Sequence, residues 1–167
     1  MSVSYRFIIL SFLISVAVGI LVFFYCPLFV FRGFEKALEG VLLLTSISLG
    51  FYGACLSVLA SIFNTKIVKD IMEDGHYRKE FIIISSLALI TGFLTVITTI
   101  VYQVLLENIL ISLVVMRSIN AIWSSLLILF FSFSTLFVLI SFLIFFKNSD
   151  VPTKKDLEPG EVKNKNF

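Results

Sequence analysis

Apolar positions in this chain do not alternate at a period of two, as in a half-buried strand, and do not gather on a single helical stripe. They run on. Four stretches, residues 7–31, 40–63, 81–106 and 121–146, contain no Asp, Glu, Lys, Arg or His. Each exceeds the roughly 20 apolar residues needed to cross about 30 Å of hydrocarbon, so the pattern predicts four transmembrane helices. In the first stretch 18 of 25 residues are Phe, Ile, Leu or Val. Each favours insertion by about 0.3–0.6 kcal/mol near a helix centre, enough together to tolerate Pro27 near the end. The second stretch holds more Gly, Ala and Ser, and is expected to lean more on its neighbours.

The connections differ in character. Residues 32–39 offer Arg32 with Glu35 and Lys36 with Glu39 at i,i+3 spacing, which suits a short helical turn outside the membrane. After the second stretch, Ile67, Val68, Ile71 and Met72 form an apolar stripe opposite Lys66, Lys69, Asp70 and Glu73, and Asp74-Gly75 reads as a turn. Spans two and three are therefore expected to form a hairpin that projects beyond the membrane. Residues 107–120 are apolar but too short to cross. They are expected to be an interfacial helix or an extension of span three, with a re-entrant segment as the alternative. The mixed-charge tail from 148 onward, with Pro152, Pro159 and Gly160, is expected to be disordered.

Composition agrees with the pattern. The 167 residues are 59% hydrophobic and 14% charged, more apolar surface than a soluble domain of this size hides. A net charge of +2 is too small to imply nucleic acid. The placement of the thirteen basic residues is more informative. Ten of them (Arg6; Lys66, Lys69, Arg78, Lys79; Lys147, Lys154, Lys155, Lys163, Lys165) fall on one side of the predicted spans, and three (Arg32, Lys36, Arg117) on the other. That bias places both termini and the second connection in the cytoplasm. The first span, with Arg6 before it, is too long for a secretory signal and is read as an uncleaved anchor. The expected fold is all-α: an integral membrane four-helix bundle over residues 1–147, N-in and C-in, with a short extracellular interfacial segment and a cytoplasmic tail over 148–167.

Chemistry is sparse. Cys26 and Cys55 lie roughly 22 Å apart in depth, too far for a disulfide, and with a single histidine no zinc site is expected. The spans carry neither His nor Asp for intramembrane proteolysis, and no ionisable group for proton relay or ion coupling. A catalytic function and a cofactor are therefore not expected. The sharpest pattern is a row of small residues on the second span, Ser46, Gly50 and Ala54 with Gly53 and Ser57 beside it, which packs against another helix either within the subunit or between subunits. Thr91, Thr95 and Thr98 or Thr99 on span three, with Ser125, Ser132 and Thr135 on span four, either bond their own helix backbone or line a mildly polar pore. Span four crowds Phe130, Phe131, Phe133, Phe137, Phe142, Phe145 and Phe146, expected mainly to meet lipid, with a hydrophobic constriction ringed by them in an oligomer as the alternative.

Outside the membrane, Glu35, Glu39 and Glu107 are candidate outer-mouth charges, although neighbouring Arg32, Lys36 and Arg117 favour surface pairing. Lys66, Lys69, His76, Arg78 and Lys79 form a candidate cytoplasmic regulatory loop, with His76 either solvated or pH-sensing. In size and layout the chain resembles the small multispan effectors with which some bacterial defence and toxin systems permeabilise the inner membrane. The functional expectation is a homo-oligomeric channel or pore in the plasma (inner) membrane, or an accessory or immunity subunit that binds another membrane protein. A reporter fused after residue 147 is expected to be active only if it works in the cytoplasm; activity of a periplasmic reporter there would reverse the orientation.

Overall fold

The computed structural model describes residues 3–61, 75–107 and 112–147; the side chains of 3, 4, 59, 75–78 and 144–147 are left aside. Four long helices account for nearly all of it: α1 (Val3–Tyr25), α2 (Phe34–Ser61), α3 (Gly75–Leu106) and α4 (Leu113–Lys147). No strand occurs among the described residues. All four are long and apolar enough to cross a membrane. At 1.5 Å per residue the 23, 28, 32 and 35 residues give lengths from roughly 34 to 52 Å, so the later helices exceed a 30 Å core and must tilt or protrude.

The boundaries depart from the apolar stretches where local chemistry intervenes. Pro27 disfavours a helical Cys26, so α1 ends at Tyr25 rather than near 31. Leu28–Val30 instead makes a 3-10 turn. Backbone bonds from the Phe31 and Phe34 N–H to the carbonyls of Leu28 and Phe31 carry the chain around. Gly33, at φ 85°, completes the reversal in a conformation that a side chain would strain. Because α2 begins at Phe34, the residues expected in an extramembrane turn, Glu35, Lys36 and Glu39, belong to its first turns.

Residues 113–120 form neither a separate helix nor an extension of the third helix; they are the first two turns of α4. The start is local: the Ser112 Oγ accepts a long 3.5 Å hydrogen bond from the Val115 N–H, satisfying one of the orphan donors of a helix N-terminus. Arg117 marks no boundary, since one exposed charge does not interrupt a helix. The expectations for the hairpin tip at 62–74 and the tail at 148–167 lie outside the described residues, as do residues 108–111.

Spatial order differs from chain order. α4 packs against both α1 and α3, and α3 against α2, whereas α1 and α2 make no comparable contact. α3 and α4 meet along two seams of heptad-like spacing. On α4 the buried positions of the seam include Met116, Asn120, Trp123, Phe130, Ser134, Phe137 and Ser141, with half-buried Leu127 between them. On α3 they are Phe81, Ile84, Ala88, Thr91, Thr95, Thr99 and Tyr102. Small residues along the middle of α3 admit the large rings of α4, the relation that lets membrane helices approach closely.

The phenylalanines of α4 divide accordingly. Phe131 and Phe142 are exposed as expected, but Phe130, Phe133 and Phe137 form the core with Tyr52, Phe81, Ile84 and Ala88. Positions 130, 133 and 137 lie on the face of α4 that α3 covers, so these three rings meet protein and not lipid.

α1 approaches α4 through a row of small residues. Ser11, Ser15 and Gly19 are buried at i,i+4 spacing, the Ser15 hydroxyl donates to the Ser125 carbonyl at 2.7 Å, and a Cβ at Gly19 would collide with the Ser125 Oγ. Gly19→Leu is therefore expected to separate α1 from α4 and cost about 1–3 kcal/mol, as overpacking does, measured by denaturant unfolding in detergent. Gly53→Leu, where a Cβ meets nothing within 4 Å, is expected to leave the subunit's stability unchanged.

Candidate functional site

The densest polar chemistry lies at the end of the molecule where α1 stops and α4 starts. Asn120, fully buried on α4, holds two elements at once. Its Nδ2 donates to the Cys26 carbonyl at the end of α1, 2.9 Å away. Its Oδ1 accepts from the Tyr102 hydroxyl of α3 at 3.1 Å. One turn further, the Trp123 Nε1–H donates to the Thr99 Oγ1 at 2.9 Å, and that hydroxyl donates in turn to the Thr95 carbonyl. Phe34, at the start of α2, sets its ring edge-on to both Tyr102 and Trp123, with centroids 5.3 and 5.7 Å away. Leu38 and Met116 close the cluster.

All four helices thus converge on one amide and one indole. Every polar atom involved has a partner, and the residues carry no charge. The arrangement joins helices and offers no nucleophile, acid or base in an activated setting. Side-chain hydrogen bonds between membrane helices contribute about 0.6–2 kcal/mol each. The five between described residues (Ser15 to Ser125, Thr95 to Leu126, Tyr102 to Asn120, Asn120 to Cys26, Trp123 to Thr99) all touch α4 between positions 120 and 126.

The candidate pore residues are scattered by the fold. Thr91 and Thr95 are buried, with their hydroxyls donating to the carbonyls of Leu87 and Thr91. Thr98 is half-buried beside them. Ser125 faces α1 and accepts from Ser15 through its carbonyl. Ser132 donates to the Ile128 carbonyl, and Thr135, exposed, to that of Phe131. These six do not share one surface.

The small-residue row is open. Ser46, Gly50, Gly53, Ala54 and Ser57 are all exposed. A Cβ placed at Gly50 or Gly53 meets nothing within 4 Å. α2 is the least buried span, 11% against 39% for α3. It seats on α3 through its other side, where Leu49 fills the space above Gly92.

Glu35, Glu39 and Glu107 are exposed, as are Arg32, Lys36 and Arg117, and no ion pair joins them among the described residues. Lys79 is exposed on α3; His76 and Arg78 lie in the first turn of that helix; Lys66 and Lys69 fall outside the described residues. An apolar groove of about 390 Å³ runs between α1 and α3, walled by Ile8, Phe12, Leu13 and Leu87 and floored by Leu129 and Phe133.

Sequence reasoning missed Asn120 and Trp123. Asn120 was placed in a connection, yet it is the only Asn, Asp or His between Phe81 and Lys147 apart from Asn108, and it falls in register with Met116, Trp123 and Leu127. That register was the available signal.

No family model, curated protein or solved structure matches the chain.

Asn120→Leu is expected to leave the Tyr102 hydroxyl and the Cys26 carbonyl unpaired. The expected loss is about 1–2 kcal/mol in detergent unfolding, with a coupling of roughly 0.6 kcal/mol or more to Tyr102→Phe in a double-mutant cycle. Trp123 is the one tryptophan, so Thr99→Val is expected to shift its fluorescence to shorter wavelength.

Proposed function

We propose that the protein acts as a homo-oligomer in the plasma (inner) membrane, its subunits meeting along α2, and that the assembly permeabilises that membrane. The observation that carries this reading is the open row Ser46, Gly50, Gly53, Ala54 and Ser57, which no described part of the chain covers. Lipid gives helices little hydrophobic reason to associate, and small residues that allow backbones to touch are the usual alternative.

Conduction in this reading belongs to the assembly. Within one subunit the threonine hydroxyls are turned back onto their own helix. In a ring with α2 innermost, the row both brings neighbouring α2 helices together and presents the Ser46 hydroxyl, the Ser57 oxygen, whose proton goes to the Gly53 carbonyl, and the thinly covered backbone around Gly50 to the axis. A path lined by uncharged hydroxyls and carbonyls suits small hydrated solutes or ions. Glu35 and Glu39, exposed on the first turns of α2, stand at the outer mouth, and residues 66–80 provide the cytoplasmic control point. The orientation follows from the basic bias of the connections. Catalysis plays no part.

The same open row favours a second reading, an accessory subunit whose α2 holds a different membrane protein. Two measurements separate them. The detergent-solubilised complex is expected to have a mass several times that of the 18.9 kDa chain, and vesicles containing it are expected to leak above empty ones. Gly50→Leu with Gly53→Leu is expected to reduce the mass to one chain and abolish the leak without altering Trp123 fluorescence. A wild-type complex of one chain, or an oligomer with no flux under any trigger, removes the pore reading.

A further inference from the structure

The two ends of the α3–α4 seam are held by different means. At the Asn120 end, every interhelical hydrogen bond between described residues engages α4 at positions 120–126. Beyond Leu126, the contacts of α4 with its neighbours among the described residues are apolar: Leu129, Leu136 and Ile140 pack on the core, and Phe137 sets edge-on to Tyr52 of α2 at 4.8 Å and stacks on Phe81 of α3 at 6.2 Å. Contacts of that kind exchange readily for lipid, because acyl chains are as apolar as the rings.

Two side chains in this second half are anomalous. Ser134 and Ser141 flank Phe137 at i−3 and i+4 and are 8% and 4% exposed, yet neither Oγ has a hydrogen-bond partner among the described residues. The buried serine and threonine hydroxyls elsewhere on α3 and α4, on Ser85, Thr91, Thr95, Thr99 and Ser124, all donate to a carbonyl one turn back on their own helix, and the Tyr102 hydroxyl donates to Asn120. A buried hydroxyl without a partner is a standing cost that water relieves.

From this division we infer that α4 is a lever: it pivots at Asn120–Leu126 while its second half parts from α3, and water enters past Phe137 to reach Ser134. Phe137 is the latch, since its ring bridges α2 and α3. The motion leaves the Asn120, Trp123 and Ser15 bonds intact, and it is a property of one subunit. It holds or fails independently of association through α2.

The test uses the full chain in vesicles after Cys26→Ala and Cys55→Ala. Ser124→Cys and Ser134→Cys both lie within the apolar Leu113–Leu143 stretch, one in each half of α4, and both side chains are buried to a similar degree, 6% and 8% exposed. With a charged methanethiosulfonate supplied at both faces, Ser134→Cys is expected to react about tenfold faster than Ser124→Cys, reflecting easier local opening. Phe137→Ala is expected to raise the first rate severalfold and leave the second unchanged. Equal rates, or a faster reaction at Ser124→Cys, overturn the lever. Hydrogen exchange of the unmodified protein in lipid discs gives an independent reading: amides of 130–143 are expected to exchange faster than those of 116–126. Uniform or inverted protection overturns it too.

Discussion

Helices of this apolarity gain little by leaving lipid for one another, since a phenylalanine is about as well accommodated by acyl chains as by a neighbouring ring. What distinguishes one packing from another is then the small set of polar groups that find partners only in that packing. Here the set is concentrated on two turns of α4. The Asn120 amide cannot satisfy both its donor and its acceptor in lipid, and in the structure it does so by joining the last carbonyl of α1 to the hydroxyl of Tyr102 on α3. The positions of the other helices follow from that junction.

Shape then extends what the amide begins. The α1 row Ser11, Ser15, Gly19 lets that helix lie so near α4 that a backbone carbonyl accepts the Ser15 hydroxyl directly. On the other side, Ala88, Thr91, Gly92 and Thr95 leave α3 narrow where Phe130 is broad. The threonines suit this place because each bonds the preceding turn of its own helix, so a polar side chain occupies an apolar seam without asking for a partner across it. α2 takes what remains, a shallow seat on α3, and keeps most of its surface outward.

The four helices were legible in the sequence, because stretches free of charge admit no other structure in lipid. Their ends were less so. Pro27 and Ser112 act through local backbone chemistry that a hydrophobicity count ignores, and Arg117 looked like a border only because a charge was assumed to face water beyond the span. The small residues give the clearest case. Ser11-Ser15-Gly19 and Ser46-Gly50-Ala54 have the same spacing and similar composition, yet one is sealed against α4 and the other lies open. Which helix meets which is decided by Asn120 and by the complementary seams, and those relations join residues on different helices, 18 positions apart for Tyr102 and 94 for Cys26. Phe130, Phe133 and Phe137 were misassigned for the same reason: their inward face is defined by α3 rather than by anything on α4.

The mismatch between chain order and spatial order bears on biogenesis. During synthesis α1 and α2 reach the bilayer first, and neither is the other's partner. α2 waits for α3; α1, whose neighbour is α4, waits through two further insertions with its serines facing hydrocarbon. α2 can seat on α3 as soon as α3 arrives, but the subunit closes only with the fourth helix. Any chaperone or insertase that shelters the unfinished chain has the Ser11–Gly19 side of the first helix as the surface in greatest need of cover.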